Sequence, residues 1–265
     1  MKEGLKQLSA YEVAAMRMFS AGIVLLPFAL KAFRKIQRKE IGLIILTGML
    51  GSFIPAILFC VAETKIDSAL AGMLNALTPL LVIIAGALFF NSPVQWKKLL
   101  GVLVGFGGML LLFFAKTANA GNSDLFFASL ILIATFCYGL NVNIINKYLK
   151  HINSLHIAAV AFVSLLIPSI IVLIASGYQH HSFTDEAIIK ATAASVVLGV
   201  FGTAVASVLF YMLMKRAGPL FSSMVTYGVP FFAVMWGLLA HEVITLLQLL
   251  GLLIILAGVY LANRQ

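Results

Sequence analysis

The chain carries none of the compact patterns that organise catalysis. It has no G-x-x-x-x-G-K-[ST] phosphate loop, no H-E-x-x-H metal pair and no G-x-S-x-G nucleophile elbow. GVLVGFGG (101–108) has the outline of a dinucleotide loop, but it lies inside an apolar run with no strand before it. Its glycines are therefore read as sites of close helix packing. His180 and His181 adjoin between two apolar runs and are read as solvated loop residues rather than metal ligands. Cys60 and Cys137 are read as small packing residues rather than a disulfide or metal pair. Chemistry of another kind comes from polar residues inside apolar runs, because their hydrogen bonds must be met by protein or by a water-filled cavity. Asn75 and Thr78 precede Pro79, and Thr226 and Tyr227 precede Pro230. Each proline removes a backbone donor and frees a carbonyl one turn earlier, offering an acceptor near a substrate. Tyr138 and Asn141 recur with Ile145 at roughly helical spacing, and Thr203, Ser207 and Tyr211, with Ser52, add hydroxyls. Arg17 is the ionisable residue lying well within a run, about eight residues or 12 Å from its nearer end. Asn75, Thr78, Tyr138, Asn141, Thr203, Ser207, Tyr211, Thr226, Tyr227 and Arg17 are candidates for binding a small molecule, with interhelical hydrogen bonding as the competing role. For Arg17 the competing roles are snorkelling and helix packing. No catalytic residue, metal or cofactor is expected, and the chain is not expected to be an enzyme.

The elements that must position these residues follow from composition. Of 265 residues, 62% are apolar and only 10% charged, and the mean hydropathy is +1.07. Water-soluble domains are nearer 45–50% apolar and about 25% charged. A polytopic membrane protein fits; a disordered chain, a disulfide scaffold and a nucleic-acid module do not. Apolar residues run continuously over about 20 positions rather than alternating, so the spans are helices and not barrel strands. Nine spans are expected, near 10–30, 41–62, 68–90, 99–115, 125–146, 155–176, 192–214, 218–240 and 244–262. Ser9 is placed as the N-cap of the first and Asp124 of the fifth.

Charge sets the orientation. Loop 31–40 holds Lys31, Arg34, Lys35, Arg38 and Lys39, and the same side collects Lys97, Lys98, Lys147, Lys150, Lys215, Arg216 and Arg264. The other side holds Lys2, Lys6, Lys65, Lys116 and Lys190. Short loops rich in Lys and Arg are retained in the cytoplasm, so the N-terminus is expected outside and the C-terminus inside. The net charge of +9 is thus an orientation signal spread over short segments, and no nucleic-acid partner is expected.

The chain also matches itself. At an offset of 151 residues, 48–86 aligns without a gap to 199–237, with Gly48, Gly51, Leu58, Phe59, Met73, Pro79 and Gly86 identical to their partners. An offset of 150 aligns Gly101 and Gly108 with Gly251 and Gly258, and an offset of 144 aligns 13–20 with 157–164. The five basic residues of loop 31–40 face none around 177–189, whereas Lys65 stands alone opposite Lys215 and Arg216. The two copies are therefore expected to be antiparallel, residues 1–115 with four helices and 124–265 with five. Residues 1–9 align onto the end of the span 125–146, so a first helix is expected to be missing from a five-plus-five arrangement.

With these features in hand, the sequence resembles the drug/metabolite transporter superfamily, specifically the EamA-type carriers with two five-helix repeats. The likeness rests on LSAYEVAAMR (8–17), LTPLL (77–81) and AHEVITLLQLLGLLIILAGVYL (240–261). The counterpart of Glu242 in the first half is Ser92, a departure from the repeat signature. The resemblance implies an all-α transmembrane bundle of two inverted repeats in a bacterial cytoplasmic (inner) membrane. It also implies a secondary transporter exporting small metabolites such as amino acids, nucleobases or drugs, by alternating access of a cavity between the repeats. The alternative is a non-transporting membrane partner or a truncated remnant of such a carrier. The expected partners are the lipid bilayer and a small-molecule substrate, and the sequence also admits a homo-oligomer.

Overall fold

The computed structural model describes residues 2–92, 96–117, 122–182, 184–218, 222, 225, 228–239 and 244–263. Among them there is no strand, and the fold is all-helical. After a short helix α1 (Lys2–Leu5) come α2 (Ala10–Ala32), α3 (Arg38–Gly48), α4 (Ile54–Ala62), α5 (Ser68–Asn75), α6 (Thr78–Phe90) and α7 (Trp96–Thr117). The second half holds α8 (Asn122–Tyr148), α9 (Ser154–Ser164), α10 (Leu166–Ala175), α11 (Glu186–Gly199), α12 (Ala206–Ala217), α13 (Gly228–Leu239) and α14 (Leu246–Asn263).

Five stretches are long and apolar enough to cross a membrane: Ala10–Ala32, Arg38–Ala62, Leu125–Tyr148, Ser154–Ala175 and Glu186–Ala217. The pair α5 and α6 makes a sixth, bent by 42°. Leu99–Leu111 and Leu246–Ala262 are shorter apolar helices at two further expected spans, and 218–240 lies partly outside the described residues. Ser9 caps α2 as expected, its Oγ accepting from the Glu12 N–H at 3.3 Å. At α8 the expected cap is corrected: the helix begins at Asn122, so Asp124 lies inside its first turn.

The bend comes from the chemistry of Pro79. Without its N–H, the helix tightens beforehand, Ala76 and Leu77 donating to the carbonyls three residues back, of Met73 and Leu74. The freed carbonyl of Asn75 accepts from Thr78 Oγ1 at 2.6 Å. A hydroxyl three residues away thus takes up one of the two lone pairs that the carbonyl offers.

The chain divides into two compact units, Met1–Thr64 with Ile144–Gly218, and Lys65–Asn143 with Pro219–Gln265. Each draws on both halves of the sequence, so the units cut across the expected division at 1–115 and 124–265. In the first unit α2 packs on α9, α10 and α11. The contacts are close because small residues stand at the crossings. A Cβ added at Gly22 would meet Leu166 and the carbonyl of Phe162, and one at Gly48 would meet Ala161 at 3.2 Å. One at Gly199 would fall on Ser20 and on the backbone of Arg17. These contacts obey the sequence offsets: Gly48 corresponds to Gly199 at 151, and Arg17 to Ala161 at 144. Each glycine meets the other half's version of one position.

The first unit also contains two π-helical segments, Met49–Phe53 between α3 and α4 and Val200–Val205 between α11 and α12. They lie at the same 151-residue offset, each directly after its aligned glycine.

In the second unit α7 and α14 pack backbone to backbone. Gly101 lies against Gly258 and Ala262, Gly108 against Gly251 and Ile255, and Gly258 against Gly105. Numbers rise along one helix as they fall along the other, so the pair is antiparallel. Under the 150 offset the contact of 101 with 258 maps onto that of 251 with 108.

Two carboxylates anchor distant loops of the first unit. Glu12, 2% exposed, accepts from the Ser9 N–H at 2.7 Å through Oε2, and its Oε1 lies 3.0 Å from His181 Nε2. This corrects the reading of His181 as a solvated loop residue: its ring also stacks edge-on with Tyr178, whose hydroxyl lies 3.0 Å from Thr192 Oγ1. Glu40 repeats the arrangement, accepting from the Gln37 N–H at 3.1 Å and pairing with His151 Nε2 at 2.6 Å. Because α2 is 23 residues long, about 35 Å, the two clasps hold opposite ends of the unit. Glu12→Ala removes a helix cap and strands the buried side of His181, and is expected to cost about 2 kcal/mol. Glu12→Gln keeps an acceptor and should cost about half as much. Thermal unfolding of the detergent-solubilised protein checks this; equal melting of both variants and the parent would refute it.

Candidate functional site

The candidate residues fall into two groups, four in each unit, with Thr226 and Tyr227 outside the described residues.

In the first unit Arg17 projects from the middle of α2 and its Nη2 donates to Thr203 Oγ1 at 3.3 Å. Thr203 sits in the π-helical segment, buried, and donates to the Leu198 carbonyl at 3.2 Å. Five residues separate that donor and acceptor, the spacing that a π-turn creates. Ser207 and Tyr211 follow on α12 at four-residue intervals and so continue the face that Thr203 begins. Ser207 is half-buried and Tyr211 is buried. The stripe runs from a guanidinium, through hydroxyls, to a phenol. At the equivalent place in the other half stand Ala161 and Ser52. The hydroxyl recurs there but the cation does not, so this polar group belongs to one side only.

In the second unit Asn75 and Thr78 are buried and engage each other, Thr78 Oγ1 lying 3.3 Å from Asn75 Oδ1 as well as donating to the Asn75 carbonyl. Tyr138 is half-buried on α8. Asn141, one turn on, is 4% exposed, and its Oδ1 has no hydrogen-bond partner among the described residues. A buried amide oxygen without a donor costs about 1–3 kcal/mol. Both lone pairs of that oxygen remain available to a donor.

Asn143, two residues further on, escaped sequence reasoning. It is buried, and its Nδ2 donates to the carbonyls of Val82 and Gly139 at 2.9 and 2.8 Å. It ties α8 to α6 where Gly139 approaches the backbone of Leu81 and Val82. Two asparagines on one helix thus divide the work, Asn143 joining helices and Asn141 holding a free acceptor. No group of three or more potential metal ligands occurs among the described residues.

Apolar helices of crossing length, with an arginine, hydroxyls and amides drawn into their interiors, define an integral membrane protein whose polar groups are held away from lipid. The model of the EamA-like transporter family matches residues 1–114 and 125–264, and the chain belongs to that family. An uncharacterized transporter from Archaeoglobus fulgidus is 20% identical over all of this chain and 92% of its own length. The uncharacterized transporter YoaV of Bacillus subtilis is 25% identical over 98% of this chain and 89% of its own length. A protein of known crystal structure shares the fold with a TM-score of 0.69 at 15% identity, over 99% of this chain and 90% of that one.

Proposed function

We propose that the protein is a secondary carrier that exports small metabolites of the amino acid, nucleobase or drug type across the cytoplasmic (inner) membrane. Its substrate moves by alternating exposure of a cavity between two inverted repeats. The observation carrying this reading is the exchange of contacts at the repeat offsets: Gly48 on Ala161 answers Gly199 on Arg17, and Gly101 on Gly258 answers Gly108 on Gly251. Two opposed copies of one bundle are how many secondary carriers present the same site to either side of the bilayer. The two separate stretches over which the family matches support the same duplication. The substrate is a small molecule, for which the Arg17, Thr203, Ser207 and Tyr211 stripe of the first unit, the Asn75, Thr78, Tyr138 and Asn141 group of the second, and Thr226 and Tyr227 are each candidate binding groups. The N-terminus is placed outside and the C-terminus in the cytoplasm, the orientation that the basic loop 31–40 favours.

The test is flux through proteoliposomes holding the full chain, using radiolabelled amino acids, nucleobases and amphipathic drugs. Saturable, self-inhibited flux of one class above protein-free liposomes is expected; its absence across the whole panel overturns the reading. Orientation is tested separately with Lys35→Cys. An impermeant maleimide should label it only after the cells are opened, and labelling in intact cells would reverse the topology.

A further inference from the structure

A cavity of about 590 Å³ opens in the first unit where the start of α9 meets the end of α12. Lys150, Lys215 and Arg216 bring three cations to its wall, Asn153 stands at the helix start, and Leu155 and Met212 supply apolar surface. Among the described residues no carboxylate lines it. His151 also borders the cavity, and its Nε2 is taken by Glu40 at 2.6 Å, which leaves that acid committed elsewhere. The Nζ of Lys215 is buried and has no hydrogen-bond partner among the described residues. A buried ammonium without an acceptor is unfavourable, and an anion in the cavity would supply both the charge and the acceptor it lacks. The wall adds a second attraction. Asn153 caps α9 by accepting from the Leu155 N–H at 2.9 Å, and the first turn of this 11-residue helix directs backbone donors and the positive end of its dipole the same way.

We infer that this cavity is a binding site for a phosphate ester anion, separate from the polar groups assigned to the carried substrate. The cation count selects a phosphoryl group, whose oxygens can accept from several donors at once. The volume exceeds a bare ion, and Leu155 and Met212 suit the glycerol or hydrocarbon portion attached to it. Basic pockets at the cytoplasmic ends of membrane helices hold lipid headgroups of this kind, and a phosphorylated soluble metabolite presents the same chemistry.

The experiment titrates the purified full chain in detergent with dioctanoylphosphatidylglycerol, with glycerol 3-phosphate and with dioctanoylphosphatidylcholine, reading bound ligand by native mass spectrometry and by the melting shift. Either anion should bind, and Lys215→Met or Arg216→Gln should weaken it about tenfold. Lys215→Arg should restore binding, and Lys190→Gln, at an exposed lysine paired with Glu186, should leave it unchanged. Binding of the phosphatidylglycerol alone assigns a lipid headgroup; binding of glycerol 3-phosphate with the same dependence assigns a soluble ester. Failure of both anions overturns the site, as does equal loss in Lys190→Gln, or phosphatidylcholine bound as tightly as phosphatidylglycerol. Arg216 is exposed, so its variant keeps the test decisive even where Lys215→Met unfolds the chain.

Discussion

Gly258→Ala is expected to destabilise the protein by about 3 kcal/mol, although it adds one methyl group. The new Cβ would fall on the backbone of Gly101 and Gly105, and neither offers a side chain that can rotate away. The helices α7 and α14 must separate along their whole contact, and the Gly108 and Gly251 approach opens with them. Gly107→Ala is the matched control. No atom lies within 4 Å of the position its Cβ would take, so the same substitution there adds helix propensity at no steric cost. The two variants, melted in one detergent, should move in opposite directions or leave Gly107→Ala unchanged. Parent-like melting of Gly258→Ala would show that the close packing of α7 and α14 has been misread.

Asn141→Leu should lower transport at least about tenfold while leaving the fold as stable as the parent or slightly more so. The two effects separate because Asn141 contributes no completed hydrogen bond through Oδ1, and removing a desolvated acceptor relieves a cost. Asn143→Leu makes the contrasting case, since it breaks the bonds to Val82 and Gly139 and should cost about 2 kcal/mol of stability. Substrate flux measured beside thermal melting distinguishes them. Full flux in a stable Asn141→Leu protein would remove that residue from the site.

The features legible in the sequence are those whose cause is local. Continuous apolar runs mark helices, Ser9 marks a helix start, and Pro79 marks a break because the missing N–H acts within one turn. The bend between α5 and α6 is therefore where the sequence puts it. What escaped depends on partners far away in the chain or on which face of a helix turns inward. Glu12 meets His181 across 169 positions, and no periodicity connects them. The helix α8 has no single apolar stripe, so nothing in its pattern separates the role of Asn141 from that of Asn143. The π-turns were equally hidden, since glycine followed by apolar residues reads as ordinary helix. The paired glycines Gly48 and Gly199 signalled a shared feature there without revealing its form.

Each π-turn inserts an extra residue without breaking the helix, and so resets the phase of all that follows by about 100°. Counting at the ordinary interval from α11 would place Ser207 and Tyr211 on a different flank from the one they occupy. The equivalent reset at Met49–Phe53 applies to α4. The azimuth of the hydroxyl-bearing surface is therefore dictated by a local excess of one residue, and a single deletion within Val200–Val205 would swing that surface around the axis while leaving every side chain on it intact.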